Sequence, residues 1–241
     1  MDIDVVETNL DFTSLSERSY TDMIVIHHTG SPDMDASAEQ IHQWHLSNGW
    51  AGIGYHYVIR KDGTIERGRP EWAIGSHAYG ENSHTIGIHL SGDFSAVEPT
   101  EEQIEKCAML VADICDRYGI PFDRAHIVGH GELMATDCPG TNLQALLNDG
   151  TIVGKAVWYY NQSHGVIDDT KEEPVKEQDG GKQGGRSMER FIDADSVPDW
   201  AKATVKKLTD KGLIKGNGES LDMSLDMLRV FVINDRAGLY D

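Results

Sequence analysis

The stretch Asp22-Met-Ile-Val-Ile-His-His-Thr-Gly30 predicts the central strand of a sheet. Residues Met23 to Ile26 form a continuous apolar run with β-branched side chains, which is typical of a strand buried on both faces. Two histidines stand at the carboxyl end of this run and are followed by Thr-Gly. Because ligand sites in open α/β sheets lie beyond the carboxyl ends of strands, the histidine pair predicts a functional site there.

The flanking segments alternate strands with helices. Ser37 is expected to cap a helix that ends near Ser47, and Thr100 to cap one that ends at Gly119. The other predicted strands are Gly52 to Arg60, Thr64 to Arg67, Thr85 to Ser91 and Ala125 to Val128, with an Asp-Gly turn joining the first two. The expected fold class is therefore α/β, a mixed sheet flanked by helices. Strict alternation would put Tyr55 and Tyr57 on one face of their strand.

A second stretch, Val128-Gly-His-Gly-Glu-Leu-Met-Ala-Thr-Asp-Cys-Pro-Gly140, carries an imidazole and a thiol eight residues apart. Its glycines and its Cys-Pro-Gly end favour a loop over a helix or strand. By themselves one histidine and one cysteine are weak evidence. A catalytic zinc site needs three protein ligands and one open position, and His27 with His130 and Cys138 supplies that number. The sequence therefore predicts a Zn²⁺ site.

Composition and charge exclude several function classes. The 241 residues carry a formal net charge of -19, so binding to nucleic acid phosphates or to an anionic membrane surface is not expected. No apolar run approaches the ~20 residues that span a membrane, and the start lacks the basic and apolar segments of a signal peptide. Synthesis in a cytoplasm is therefore expected, and if the substrate lies outside, something else must release the protein. Three cysteines, an odd number, argue against a disulfide framework.

Four segments occur in the order typical of a known family: IVIHHTG, GIGYHYVIRKDGTIERGRP, GSHAYGENSHTIGIHLSGDF, and VGH followed by DCPG. They resemble the zinc-dependent N-acetylmuramoyl-L-alanine amidases of type 2, which include phage amidase-lysozymes and peptidoglycan recognition proteins. The resemblance covers about residues 18–145. It implies a mixed sheet flanked by helices, bacterial peptidoglycan as the partner, and hydrolysis of the amide between N-acetylmuramic acid and L-alanine.

The resemblance also implies residue roles. His27, His130 and Cys138 match the family's zinc ligands, while His28 is expected to point away from the metal. Tyr55 matches a tyrosine beside the metal, and Thr136 matches a catalytic position that is lysine in some members and threonine in others. The residues expected to bind substrate are His77, Trp50 and Asn82.

The composition changes after residue 164. We expect an amidase domain over residues 1–164, a flexible linker over residues 165–190 that is poor in apolar side chains, and a small all-α module over residues 191–241. Within that module a helix is predicted from Pro198 and a second from Leu221 to Asn234. The segment is similar to a single S-layer-homology repeat, which implies either binding to the cell wall or self-association of chains.

Three functional interpretations follow from these features. Peptidoglycan recognition proteins that bind without cutting generally lack the cysteine ligand, so Cys138 favours an enzyme. A cytoplasmic amidase that recycles wall fragments would fit the missing signal peptide. An endolysin of a phage or prophage fits the missing signal peptide, the linker and the C-terminal module together.

Overall fold

The computed structural model describes residues 3–31, 34–165, 190–191, 196–211, 213–214 and 223–224. The chain divides into two compact units, Met1–Ile167 and Asp168–Asp241. The predicted linker, residues 165–190, lies almost wholly outside the described residues. Within the part of the chain that the structure describes, no helix is long and apolar enough to cross a membrane.

A six-stranded sheet forms the centre of the first unit, in the order β1-β4-β3-β5-β2-β6. Its strands are Val5–Val6 (β1), Met23–His28 (β2), Tyr57–Ile59 (β3), Ile65–Arg67 (β4), Thr85–Leu90 (β5) and Ile127–Gly129 (β6). Only the β3–β4 hairpin is antiparallel among these pairings, so the sheet is mixed, as predicted. Strand β2 lies between β5 and β6, and His27 pairs in register with His89.

One face of the sheet is apolar. Ile24, Ile26, Ile86 and Ile88 are fully buried there in a core shared with Glu101–Tyr118 (α2) and with the helices Thr141–Asn148 (α4) and Thr151–Ser163 (α5). Helix α2 begins and ends as predicted. Thr100 and Gln103 form a capping box, and Gly119 adopts a left-handed conformation with φ of 67°. Helices α4 and α5 were not predicted.

The opposite face is covered by Ala38–Ser47 (α1), whose Ile41 packs with Ile53 and Val58. The Ser37 side chain accepts a hydrogen bond from the Gln40 amide, which confirms the predicted cap. Because α1 covers only part of this face, the carboxyl ends of β2 and β5 are left for polar side chains.

Two local predictions are wrong. The segment Gly52 to Arg60 is a strand only from Tyr57, because the Tyr55 and His56 carbonyls accept from the consecutive amides of Arg69 and Gly68. Tyr55 therefore does not share the face of Tyr57, which belongs to the apolar core. The stretch from Val128 is also not all loop, because it contains the end of β6 and a one-turn helix, His130–Leu133 (α3).

The described part of the second unit contains the predicted first helix, Asp199–Asp210 (α6), with Ala201, Val205 and Leu208 buried. It also contains an antiparallel pair of two-residue strands, Arg190–Phe191 (β7) and Met223–Ser224 (β8), which an all-α module does not include. Strand β8 falls where the second helix was predicted to begin. The rest of that predicted helix, from residue 225 onward, lies outside the described residues.

Candidate metal centre

Three side chains of the first unit converge at the carboxyl ends of β2 and β6. His27 is fully buried near the end of β2, on the face that α1 covers. Gly129 pairs with Ile26, so His130 enters the structure beside His27, and the two ring centroids are 4.5 Å apart. Beyond the turn after α3, the chain brings Cys138 back to the same place, where its sulfur accepts a hydrogen bond from the His28 amide at 3.4 Å.

The donor atoms of these residues fit a metal ion. One ligand atom from each of His27, His130 and Cys138 lies within 4.8 Å of the others. The distance from His27 Nδ1 to Cys138 Sγ is 3.6 Å. This is close to the distance of about 3.5 Å that separates a nitrogen and a sulfur ligand on one tetrahedral zinc ion. The buried Nε2 of His130 has no hydrogen-bond partner among the described residues. A buried polar atom without a partner costs ~1–3 kcal/mol, and a cation in the cluster would remove this cost.

The electrostatics of the cluster favour binding of a cation. Burial lowers the pKa of His27 well below its ordinary value, with a further contribution from His77, and burial also lowers the pKa of His130. Both imidazoles are therefore neutral at pH 7 and present lone pairs. Burial raises the pKa of the Cys138 thiol to about 12, although the hydrogen bond from His28 opposes this shift. A nearby divalent cation reverses such a shift by stabilising the thiolate.

Tyr55 faces the cluster. Its ring lies 4.9 Å from that of His27 and 4.8 Å from that of His89. The bend before β3 is held tightly, since a Cβ at Gly54 would lie 2.0 Å from the Ser76 carbonyl oxygen. Burial raises the pKa of Tyr55, so its hydroxyl stays protonated and acts as a hydrogen-bond donor.

Comparison with known proteins identifies the family. The N-acetylmuramoyl-L-alanine amidase family profile matches residues 17–141, about half of the chain. This chain belongs to that family. It is 34% identical to the endolysin of Escherichia phage T7 over 135 residues, which are 53% of this chain and 86% of that protein. The structure of an endolysin amidase, LysCS of Clostridium intestinale URNW, is 39% identical with a TM-score of 0.54, and the match covers 60% of this chain and 95% of LysCS.

A more distant relative is Drosophila PGRP-LB, a peptidoglycan recognition protein for which the structure of a single-substitution mutant contains bound tracheal cytotoxin. It is 26% identical with a TM-score of 0.53, and the match covers 58% of this chain and 90% of that one. Together these relatives establish the chain as a peptidoglycan amidase. The family match ends at residue 141 and leaves the second unit unassigned.

Thr136 lies at the edge of the amidase site. It is exposed, and its hydroxyl oxygen accepts a hydrogen bond from the Cys138 amide at 3.3 Å. This contact supports the turn that carries the cysteine. The catalytic role that the sequence predicted for Thr136 stays a prediction.

The three predicted substrate-binding residues occupy different environments. Trp50 is 45% exposed, and its ring centroid lies 4.4 Å from that of His45. Asn82 uses its Oδ1 to accept the backbone amides of His77 and Ala78, so this atom supports its own loop. His77 is 7% exposed, and its Nδ1 lies 3.0 Å from His27 Nε2, so its predicted role in substrate binding stays a prediction.

His28 points away from the cluster, as expected, and its Nδ1 accepts the Phe94 amide at 3.1 Å. The sequence interpretation missed His89, which is 1% exposed and lies under Tyr55 with its Nε2 3.0 Å from the Thr29 hydroxyl. Period-two alternation in Thr85–Leu90 puts His89 on the face of Thr85 and Gly87. This signal was available, but its meaning depends on the register with β2.

Proposed function

We propose that this peptidoglycan amidase is zinc-dependent and acts as an endolysin, cutting the amide between N-acetylmuramic acid and L-alanine. The observation that carries the proposal is the convergence of His27, His130 and Cys138, with ligand atoms within 4.8 Å of one another. Two neutral imidazoles and one thiolate form a donor set that suits zinc, and three ligands leave an open position.

The proposed mechanism divides the work between metal and side chains. When bound, zinc supplies Lewis acidity, which polarises the scissile carbonyl and lowers the pKa of water toward ~7. His27, His130 and Cys138 would hold the ion at the carboxyl ends of β2 and β6. The ring of Tyr55 lies 4.9 Å from that of His27 between centroids, and the Tyr55 hydroxyl would donate a hydrogen bond to the carbonyl oxygen as that atom gains negative charge. The exposed indole of Trp50 offers an apolar surface to the sugar.

Relatives named endolysins support release from a host cell as the biological setting. The C-terminal residues 191–241 belong to the same proposal, as an S-layer-homology-like module that binds the wall or joins two chains. A recycling amidase of the cytoplasm is the second candidate. The full-length protein should cleave intact sacculi faster than soluble muropeptides if it is an endolysin, and the reverse order would favour recycling.

The chemical test is the digestion of purified peptidoglycan followed by mass spectrometry. Free amino-terminal L-alanine on the released stem peptides is expected, and cleavage at any other bond would contradict the assignment. The wild-type protein should contain about one zinc ion per chain and should lose activity when a chelator removes it.

Cys138→Ser tests the metal assignment directly. Removing a ligand should lower activity by more than the ~10²–10³-fold that loss of one oxyanion donor costs. Cys115→Ser is the matched control, because this cysteine is buried in the apolar core of α2, on the other side of the sheet. Retained zinc and retained lysis by the Cys138→Ser protein would refute the proposal.

A further inference from the structure

His27 and His77 form a buried pair behind the metal cluster. His27 Nε2 lies 3.0 Å from His77 Nδ1, and the two rings meet edge to face. The other nitrogen of His77 lies 3.3 Å from the Thr85 hydroxyl. That hydroxyl in turn donates to the Glu81 carbonyl at 2.8 Å. The four residues therefore form one continuous chain of hydrogen bonds.

The far end of this chain fixes the direction of its protons. A carbonyl oxygen only accepts, so the single proton of the Thr85 hydroxyl points to Glu81. The hydroxyl oxygen must then accept from His77, which means that His77 carries a proton on Nε2. This assignment uses no assumption about a metal.

The same logic continues to His27. His27 is fully buried and His77 is 7% exposed, and neither ring is hydrogen-bonded to a carboxylate among the described residues, so both rings are neutral. His77 Nδ1 therefore holds a lone pair and accepts from His27 Nε2–H. The remaining lone pair of His27 is on Nδ1, the atom 3.6 Å from Cys138 Sγ.

The surrounding backbone is shaped to hold His77 in this place. A Cβ at Gly75 would lie 2.5 Å from the His77 ring, and a Cβ at Gly87 would lie 2.6 Å from it. Asn82 Oδ1 accepts the backbone amides of His77 and Ala78 and so fixes the turn that presents the ring. These contacts fix the position of the His77 ring against His27.

We propose that His77 is a positioning residue, which holds His27 in the Nε2–H tautomer and thereby presents Nδ1 to a divalent cation. This inference rests on the proposed zinc centre but concerns a residue that is not one of its three candidate ligands. Partners that orient a metal-binding histidine typically change metal affinity by ~10–100-fold when they are lost.

The first experiment observes the tautomers without any substitution. The full-length protein, labelled with ¹⁵N-histidine and freed of metal, is measured by long-range ¹H–¹⁵N correlation NMR. Protonated Nε2 and unprotonated Nδ1 are expected for both His27 and His77. A proton on Nδ1 of His27 would overturn the inference.

The second experiment measures zinc affinity by competition with a chelator. His77→Leu should bind zinc ~10–100-fold more weakly than wild type, while His77→Asn, whose Oδ1 can replace Nδ1 as an acceptor, should recover most of the loss. A purely structural role for His77 would give no such recovery. Equal affinity in wild type and a folded His77→Leu protein would overturn the inference.

His42→Asn is the matched control. His42 is 2% exposed and lies on the same side of the sheet, and both its nitrogens have backbone partners, the Asp11 carbonyl and the Ile53 amide. Its substitution should leave zinc affinity unchanged. If His77→Leu does not fold, Thr85→Val breaks the same chain with little change of shape, and unaltered zinc affinity there would also overturn the inference. Failure of the proposed function looks different, because the wild type would then bind no zinc at all.

Discussion

The two faces of strands β2 and β5 are formed by alternate residues of the same segments, yet one face forms the apolar core and the other carries buried histidines. On one face Ile24, Ile26, Ile86 and Ile88 are completely buried against α2 and its neighbours. On the other, His27 and His89 pair in register with Gly87 next to them. The backbone is identical, so the difference lies in which side chains must satisfy hydrogen bonds.

The apolar face stabilises the folded state through the hydrophobic effect, which is not directional because it depends only on the apolar area removed from water. The polar face must give each buried nitrogen a partner, or lose ~1–3 kcal/mol for each one that lacks it. His27 meets this demand through His77, and His89 meets it at Nε2 through Thr29, whereas the buried Nδ1 of His89 has no hydrogen-bond partner among the described residues. We therefore expect substitutions on the first face to change stability and substitutions on the second to change metal binding and rate.

Among the variants that compare the two faces, Ile88→Ala should have the largest effect. It should lower the free energy of unfolding by about 2–5 kcal/mol. Ile88 is fully buried and faces the apolar core, so its removal leaves a cavity. Zinc affinity of the folded protein should not change. Denaturant unfolding with zinc titration measures both quantities, and a loss of zinc from a folded Ile88→Ala protein would show that the faces are not independent.

Tyr55→Phe should have the next largest effect, lowering amidase activity by ~10²–10³-fold, or about 2.7–4 kcal/mol of transition-state stabilisation. The ring keeps its contacts with His27 and His89, so zinc content and stability should be nearly unchanged. Tyr57→Phe is the control from the apolar face, where the hydroxyl donates to the Glu71 carboxylate. It should keep full activity, and equal losses in both variants would argue against a catalytic Tyr55.

The sequence correctly predicted those helices and strands in which the periodicity of apolar residues and the residues at the ends indicate the same element. The run Met23 to Ile26 and helix α2 are examples. A buried strand requires consecutive apolar residues, and a helix end requires capping residues, so both can be recognised in the sequence. The bend at His56 was not predicted, since it depends on Arg69 and Gly68, which lie 12 to 14 residues further along the chain. Helices α4 and α5 carry no side-chain cap hydrogen bond, and their start signals are correspondingly weak.

The candidate metal ligands were predictable from the sequence, because histidine and cysteine residues at strand ends and turns are typical of metal sites. The role of His77 was not, because the depth of a loop side chain is set by its neighbours. Only the absence of Cβ atoms at Gly75 and Gly87 lets the ring sink under His27, and these glycines are separated from each other by twelve positions. The sequence shows the glycines but not that both surround the same ring.

Gly87→Ala tests this dependence and should cost about 1–3 kcal/mol of stability, because the new Cβ meets the buried His77 ring. Zinc affinity should fall as well, in contrast to Ile88→Ala at the adjacent position. In a His77→Ala background the same change should cost much less, since the ring is gone. A double-mutant cycle on unfolding free energy measures this coupling, and additive effects would contradict the steric account.

Thr136→Ala should have the smallest effect, because Thr136 lies on neither face and its side chain is exposed. The hydroxyl accepts one hydrogen bond from the Cys138 amide, and such a bond contributes about 0.5–1.5 kcal/mol. Activity should therefore fall by less than about tenfold, with zinc content unchanged, and Thr136→Ser should restore it. A loss comparable to that of Tyr55→Phe would instead place Thr136 among the catalytic residues, and the polar face would then act together with the loop that follows α3.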